Sequence, residues 1–220
     1  MIVRKKIVKE IKQISLKCGL SPRTVFLALQ YIDKIGSKMV SFDGIELISK
    51  FCLIIAAKFS ENGEKAVSIE KTYKNEISTN YINDEVYILQ LLNYELKLPT
   101  LYDSIISILQ KGFIFDNESV TPKKLSYAYD AALQTLFHLI DNRIVIDLPM
   151  KQVVIASIAF SRELVGLEAF SHVLIVSNSI EESELESYME ALRKVKQCFK
   201  LKRKSEEKCS DVNNISYSLS

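Results

Sequence analysis

The sequence predicts an all-α fold of ten helices, arranged as two five-helix halves. Apolar residues recur every three or four positions along most of the chain, the spacing of a helix with one buried face. No stretch alternates apolar and polar residues with the β-branched enrichment of a strand. Polar caps followed by proline mark helix starts at Ser21-Pro22 and Thr121-Pro122. The expected helices run near residues 2–17, 21–35, 43–60, 66–76 and 82–94, then 100–111, 121–141, 149–165, 168–177 and 181–199. Gly19, Gly36, Gly44, Gly63 and Gly112 fall between them and Gly166 just after one.

The first helix is amphipathic, with Ile7, Ile11 and Ile14 set against Lys9, Glu10 and Lys12. In the second, Val25, Phe26, Leu29 and Ile32 form the buried stripe and Asp33 lies at its inner end. Phe42-Asp43-Gly44 reads as a turn and cap. The helix that follows, 45–57, is apolar nearly all round, which places it in the middle of a core. It emerges into Lys58-Phe59-Ser60-Glu61. The fifth helix carries Glu85 and Leu89 and leads through Tyr94 and Leu96 to Pro99-Thr100, a short hinge.

The second half reads as a distant copy of the first at offsets of about 100 residues. Ser21-Pro22 corresponds to Thr121-Pro122, Tyr31-Ile32-Asp33-Lys34 to Leu139-Ile140-Asp141-Asn142, and Ala56-Ala57-Lys58 to Ala159-Phe160-Ser161-Arg162. The 149–165 helix takes the central place. The last helix has glutamates early and basic residues late, the order that complements a helix dipole. Its basic end, residues 200–204, reads as a solvated helix terminus, with a nuclear-import or nucleic-acid patch as the competing reading. Residues 205–220 lack a periodic apolar face and read as a flexible polar tail.

A net charge of +2 over 220 residues gives no electrostatic drive toward nucleic acid or an acidic membrane. The longest apolar stretch, 45–57, is interrupted by Glu46 and Lys50 and falls well short of the roughly 20 residues a membrane span needs. The N-terminus reads as a soluble amphipathic helix and not as a secretory signal, so an intracellular protein is expected, in nucleus and cytoplasm. Cys18, Cys52, Cys198 and Cys209 lack the spacing of a metal site or disulfide framework, and Cys52 is expected to pack as a small apolar residue. His138 and His172 have no carboxylate or cysteine at ligand spacing. With no nucleophile elbow, phosphate loop or metal set, the reading is a binding module with no catalytic residues, no cofactor and no metal.

Five separated positions carry a family resemblance. Arg4 early in the first helix, Asp33 ending the second, Leu47 and Lys58 on the third and Glu85 on the fifth stand in the register of the cyclin box, which this chain resembles over roughly residues 3–100. The likeness is weaker over 101–200, where it rests on Pro149 and the run from Ile155 to Phe160. The resemblance implies two tandem five-helix cyclin-box domains, 1–98 and 99–204, followed by the 205–220 tail. It further implies a regulatory subunit of a cyclin-dependent serine/threonine kinase, with kinase substrates or regulators as further partners and no membrane or direct nucleic-acid role. Arg4, Asp33 and Leu47 would be structural, the first two as an ion pair tying the first helix to the second. If that pair is partly buried, losing one partner should cost about 3 to 5 kcal/mol.

In cyclins the lysine and glutamate matched by Lys58 and Glu85 hydrogen-bond main-chain groups around the kinase helix that bears the catalytic glutamate. The resemblance therefore implies that Phe59, Leu89, Tyr94 and Leu96 pack on that helix while Lys58 and Glu85 fix its register. The two charges are expected in one surface patch, each with hydrogen-bonding capacity free for the partner. One departure concerns the apolar first-helix patch of substrate-recruiting cyclins. Lys6 and Glu10 stand where large apolar residues belong, and Glu46 is expected to face the same region, so arginine-x-leucine motifs should dock poorly. The second half looks closer to transcription-type cyclins. The alternative is a general transcription factor of the B-type initiation-factor kind, which would predict a zinc ribbon and a basic DNA-facing surface.

Overall fold

In the computed structural model, residues 2–36, 45–73, 81–110, 118, 120–140 and 148–197 are described, and every regular element among them is helical. The 42–44 turn, Cys198, the basic 200–204 segment, Cys209 and the 205–220 tail lie outside them. The elements are α1 (Ile2–Lys17), α2 (Pro22–Gly36), α3 (Ile45–Ser60), α4 (Gly63–Tyr73), α5 (Tyr81–Leu91), α6 (Leu101–Gln110), α7 (Pro122–Leu139), α8 (Met150–Leu164) and α9 (His172–Ser177). A further helix, α10, runs over 182–197. The chain divides into two compact units, Met1–Asp103 and Ser104–Ser220.

In the first unit α3 is the central element, packed against α1, α2, α4 and α5. All seven residues from Phe51 to Ala57 are buried. Each large side chain among them, such as Phe51, Leu53 or Ile54, contributes about 1.5 to 3 kcal/mol by leaving water. Cys52 packs there as a small apolar residue, and burial pushes its thiol pKa well up, so it stays protonated. Glu46 in the first turn and Lys58 in the last match the α3 dipole.

Helix ends explain where the observed bounds depart from the expected ones. At the end of α1, Leu20 N–H reaches Ser15 O at 2.9 Å over Gly19, whose φ of +61° only glycine adopts freely. The same double closure ends α5 at Leu91 instead of 94: Tyr94 N–H donates to Leu89 O at 2.8 Å and Asn93 N–H to Gln90 O at 2.9 Å, with both residues at positive φ. Helix α4 begins at Gly63, earlier than expected, because the Asn62 side chain caps it through Lys65 N–H at 3.2 Å. Helix α9 begins only at His172, where Ser171 supplies the cap to Leu174 N–H at 3.3 Å.

The first unit extends through Asp103, past the hinge expected at Pro99-Thr100. Tyr102 stacks on Phe26 at 6.2 Å between centroids, and Arg23 pairs with Asp103 at 2.9 Å, so the first turn of α6 belongs with α2. In the second unit α8 is packed against α7, with Val153 to Ala159 buried. Arg162, near the end of α8, is fully buried. Its guanidinium donates to the Glu118 carboxylate and, through Nε, to Glu168 O at 2.9 Å.

Candidate functional site

The C-terminal turn of α3 leaves the core at Lys58, and there the sequence-predicted charges converge. Lys58 Nζ lies 2.8 Å from Glu85 Oε2 and 3.1 Å from Glu85 Oε1, although 27 positions separate the two residues in sequence. They share one patch, as expected. They are not open-handed, however, because each is the other's partner. The expectation of free hydrogen-bonding capacity is therefore corrected for Lys58, whose ammonium is engaged by carboxylate oxygens within the chain, while each Glu85 oxygen can accept a further bond. Lys58 is 39% and Glu85 19% exposed, so the pair is reachable from solvent and its net contribution to stability is small.

A third charge, absent from the sequence reading, completes the cluster. Glu70 Oε1 on α4 lies 3.1 Å from Lys58 Nζ. A sequence signal existed. Ala66, Ile69 and Tyr73 form the buried stripe of α4, and Glu70 borders it, so a carboxylate there must lie beside the helix on which α4 packs.

The apolar candidates surround this cluster unevenly. Phe59 follows Lys58 and is 46% exposed. Leu89, half-buried, sits one helical turn beyond Glu85 on α5, and Tyr94, 62% exposed, is bonded through its backbone to Leu89. Leu96 is held elsewhere. Its carbonyl accepts from the buried Tyr31 phenol on α2 at 2.6 Å, and the neighbouring Glu95 pairs with Lys34 of the same helix.

The pair expected to be structural is formed. Arg4 donates to Asp33 through Nε at 3.2 Å and Nη2 at 2.9 Å, a two-bond clasp between α1 and α2. Arg4 is 27% and Asp33 47% exposed, so the pair is partly shielded, and solvent screening brings its expected contribution below that of a fully buried pair. Leu47 lies half-buried on α3. Lys6 Nζ binds Glu46 Oε1 at 2.7 Å with both side chains in solvent, so a charged pair bridges α1 and α3 where an apolar docking patch would lie. Each charge stabilises the other's ionised form. Their mutual hydrogen bond, then their Coulomb attraction, raises the Lys6 pKa and lowers that of Glu46.

Just past the C-terminus of α3, Glu61 anchors α2. Its Oε1 accepts from Ser21 N–H and from the Thr24 hydroxyl, both at 2.6 Å, while Oε2 takes Lys65 at 2.9 Å. Desolvation alone would raise its pKa and is the largest single influence. The bonds from Thr24, Lys65 and Ser21 together outweigh it, bringing the carboxyl to about 2. Glu61 thus supplies an anion to the N-terminus of α2 and fixes the stretch that follows Lys58 and Phe59.

Comparison with known proteins finds relatives in one family. The family model for the cyclin N-terminal domain matches residues 2–97. The chain is 30% identical over 93 residues to the G2/mitotic-specific cyclin-2 of Saccharomyces cerevisiae, an alignment covering 40% of this chain and 18% of that protein. It is 31% identical over 94 residues to a G2/mitotic-specific cyclin-A of Hydra viridissima, covering 41% and 22% respectively. The aligned region thus spans about a fifth of these relatives. In fold, the chain is similar to a viral cyclin from herpesvirus saimiri, with a TM-score of 0.70 at 16% identity over 89% of this chain and 83% of that one. A chain in the structure of the CAK complex of Chaetomium thermophilum bound to ATP-gamma-S matches with a TM-score of 0.68 at 11% identity, over 90% of this chain and 62% of that one. Over residues 2–97 the chain is thus similar to the cyclin N-terminal domain, and its helical fold is similar to that of cyclin structures.

Proposed function

We propose that this chain binds and activates a cyclin-dependent serine/threonine kinase, with the Lys58–Glu85 cluster, Phe59, Leu89 and Tyr94, and Leu96 on the segment fixed to α2, as its kinase-facing surface. One observation carries the reading: residues from two helices, 27 positions apart, form a solvent-reachable acid–base pair at the exit of the central helix. A partner helix whose main-chain groups are exposed at its ends offers N–H groups to Glu85 and C=O groups to Lys58. Apolar contact from Phe59 and Tyr94 excludes water from those bonds, which strengthens them. The chain supplies position and performs no catalysis. A kinase transfers phosphate quickly only when its lysine–glutamate ion pair and its activation loop are both in place. Binding that arrangement more tightly than the inactive one shifts the kinase equilibrium by the difference in affinity.

In this reading the second unit is a second cyclin box, and the protein acts in nucleus and cytoplasm. Titration of purified cyclin-dependent kinases with the wild-type chain and with Lys58→Ala or Glu85→Ala tests it. Each variant should lose affinity about thirtyfold or more while folding normally, because a desolvated charged hydrogen bond at an interface is worth on the order of 2 kcal/mol or more. Binding equal to wild type in both variants would contradict the proposal.

A further inference from the structure

We propose that Glu70 is a positioning residue for kinase binding, holding the Lys58 ammonium while Glu85 exchanges its internal bond for one to the partner. The inference rests on the kinase reading given above. An ammonium has three N–H donors, and those of Lys58 face three carboxylate oxygens: two of Glu85 at 2.8 and 3.1 Å and one of Glu70 at 3.1 Å. The two carboxylates arrive from different helices, α5 and α4. With Glu85 alone, the pair would neutralise itself, and a partner would have to break it to engage either charge. That would strand Lys58 just as the interface closed over it.

Glu70 removes that obstacle. When Glu85 turns an oxygen toward main-chain N–H groups of the partner, Lys58 keeps a carboxylate on α4 and a donor to offer. Glu70 therefore acts through Lys58 and need not touch the partner.

The test is a double-mutant cycle on affinity, read by titration of the full chain against each of a panel of purified cyclin-dependent kinases. Glu70→Gln keeps the side chain's size and removes its charge. It should weaken binding about five- to thirtyfold with an unchanged melting temperature, and it should have no further effect in a Lys58→Ala background. A purely structural role would cost the same in both backgrounds. Equal binding by wild type and Glu70→Gln, or an equal loss in both backgrounds, overturns the assignment of Glu70 alone. Failure of the wild-type chain to bind any of the kinases overturns the kinase reading and the Glu70 assignment together.

Discussion

The Tyr31 phenol donates a 2.6 Å hydrogen bond to the Leu96 carbonyl, and this bond fixes to α2 the segment that carries Tyr94 and Leu96. Tyr31 is fully buried, and burial, with the adjacent Cys52, pushes its pKa well up, so the phenol remains a donor throughout the ordinary pH range. Tyr31→Phe should cost roughly 1 to 2 kcal/mol, read from the urea midpoint, because it leaves a part-buried carbonyl without its donor. It should also weaken kinase binding, since Tyr94 and Leu96 lose their anchor. An unchanged urea midpoint would mean the bond contributes nothing.

Acid should loosen the first unit through Glu61. Its folded pKa of about 2 lies below the ordinary 4.5, so its contribution is fully present above pH 4.5 and is lost as pH falls from there toward 2. The side chain is 8% exposed, and the contribution should be on the order of 1 to 3 kcal/mol. Urea unfolding of wild type and Glu61→Gln across pH 7 to 2.5 should show the wild type more stable at neutral pH and the two curves converging in acid. Parallel curves would contradict this.

Arg4→Ala should cost only about 1 kcal/mol or less, a drop of a few degrees in the melting temperature, because both partners of the Arg4–Asp33 clasp are partly in solvent. The loss should shrink further in high salt. A loss of several kcal/mol by chemical denaturation would show that the clasp is shielded in solution.

The sequence reached most of the first unit because its signals are local. Ser21-Pro22 does start α2, and the unbroken apolar run through residues 51–57 is buried on every side. What escaped depends on tertiary neighbours. Nothing in the spacing of Lys58 and Glu85 says that they bond to each other, and Glu70 gains meaning only once α4 lies beside α3. Arg162 reads as an ordinary cation near a helix end, and its complete burial follows from Glu118 and Glu168, which converge on it from separate loops. Asn93 and Tyr94 carry no glycine, so the left-handed end of α5 had no composition cue.

The central claim is that Lys58 and Glu85 face a kinase, and exchanging their charges tests it most directly. Because the two residues bond to each other, the Lys58→Glu, Glu85→Lys double variant can re-form the internal ion pair while presenting the wrong sign at each position to a partner. A glutamate at position 58 also meets the Glu70 carboxylate, so the expected result is a folded variant with a lowered melting temperature, together with loss of kinase activation in a phosphate-transfer assay. A double variant that folds normally and activates the kinase to the wild-type level would show that the interface lies elsewhere.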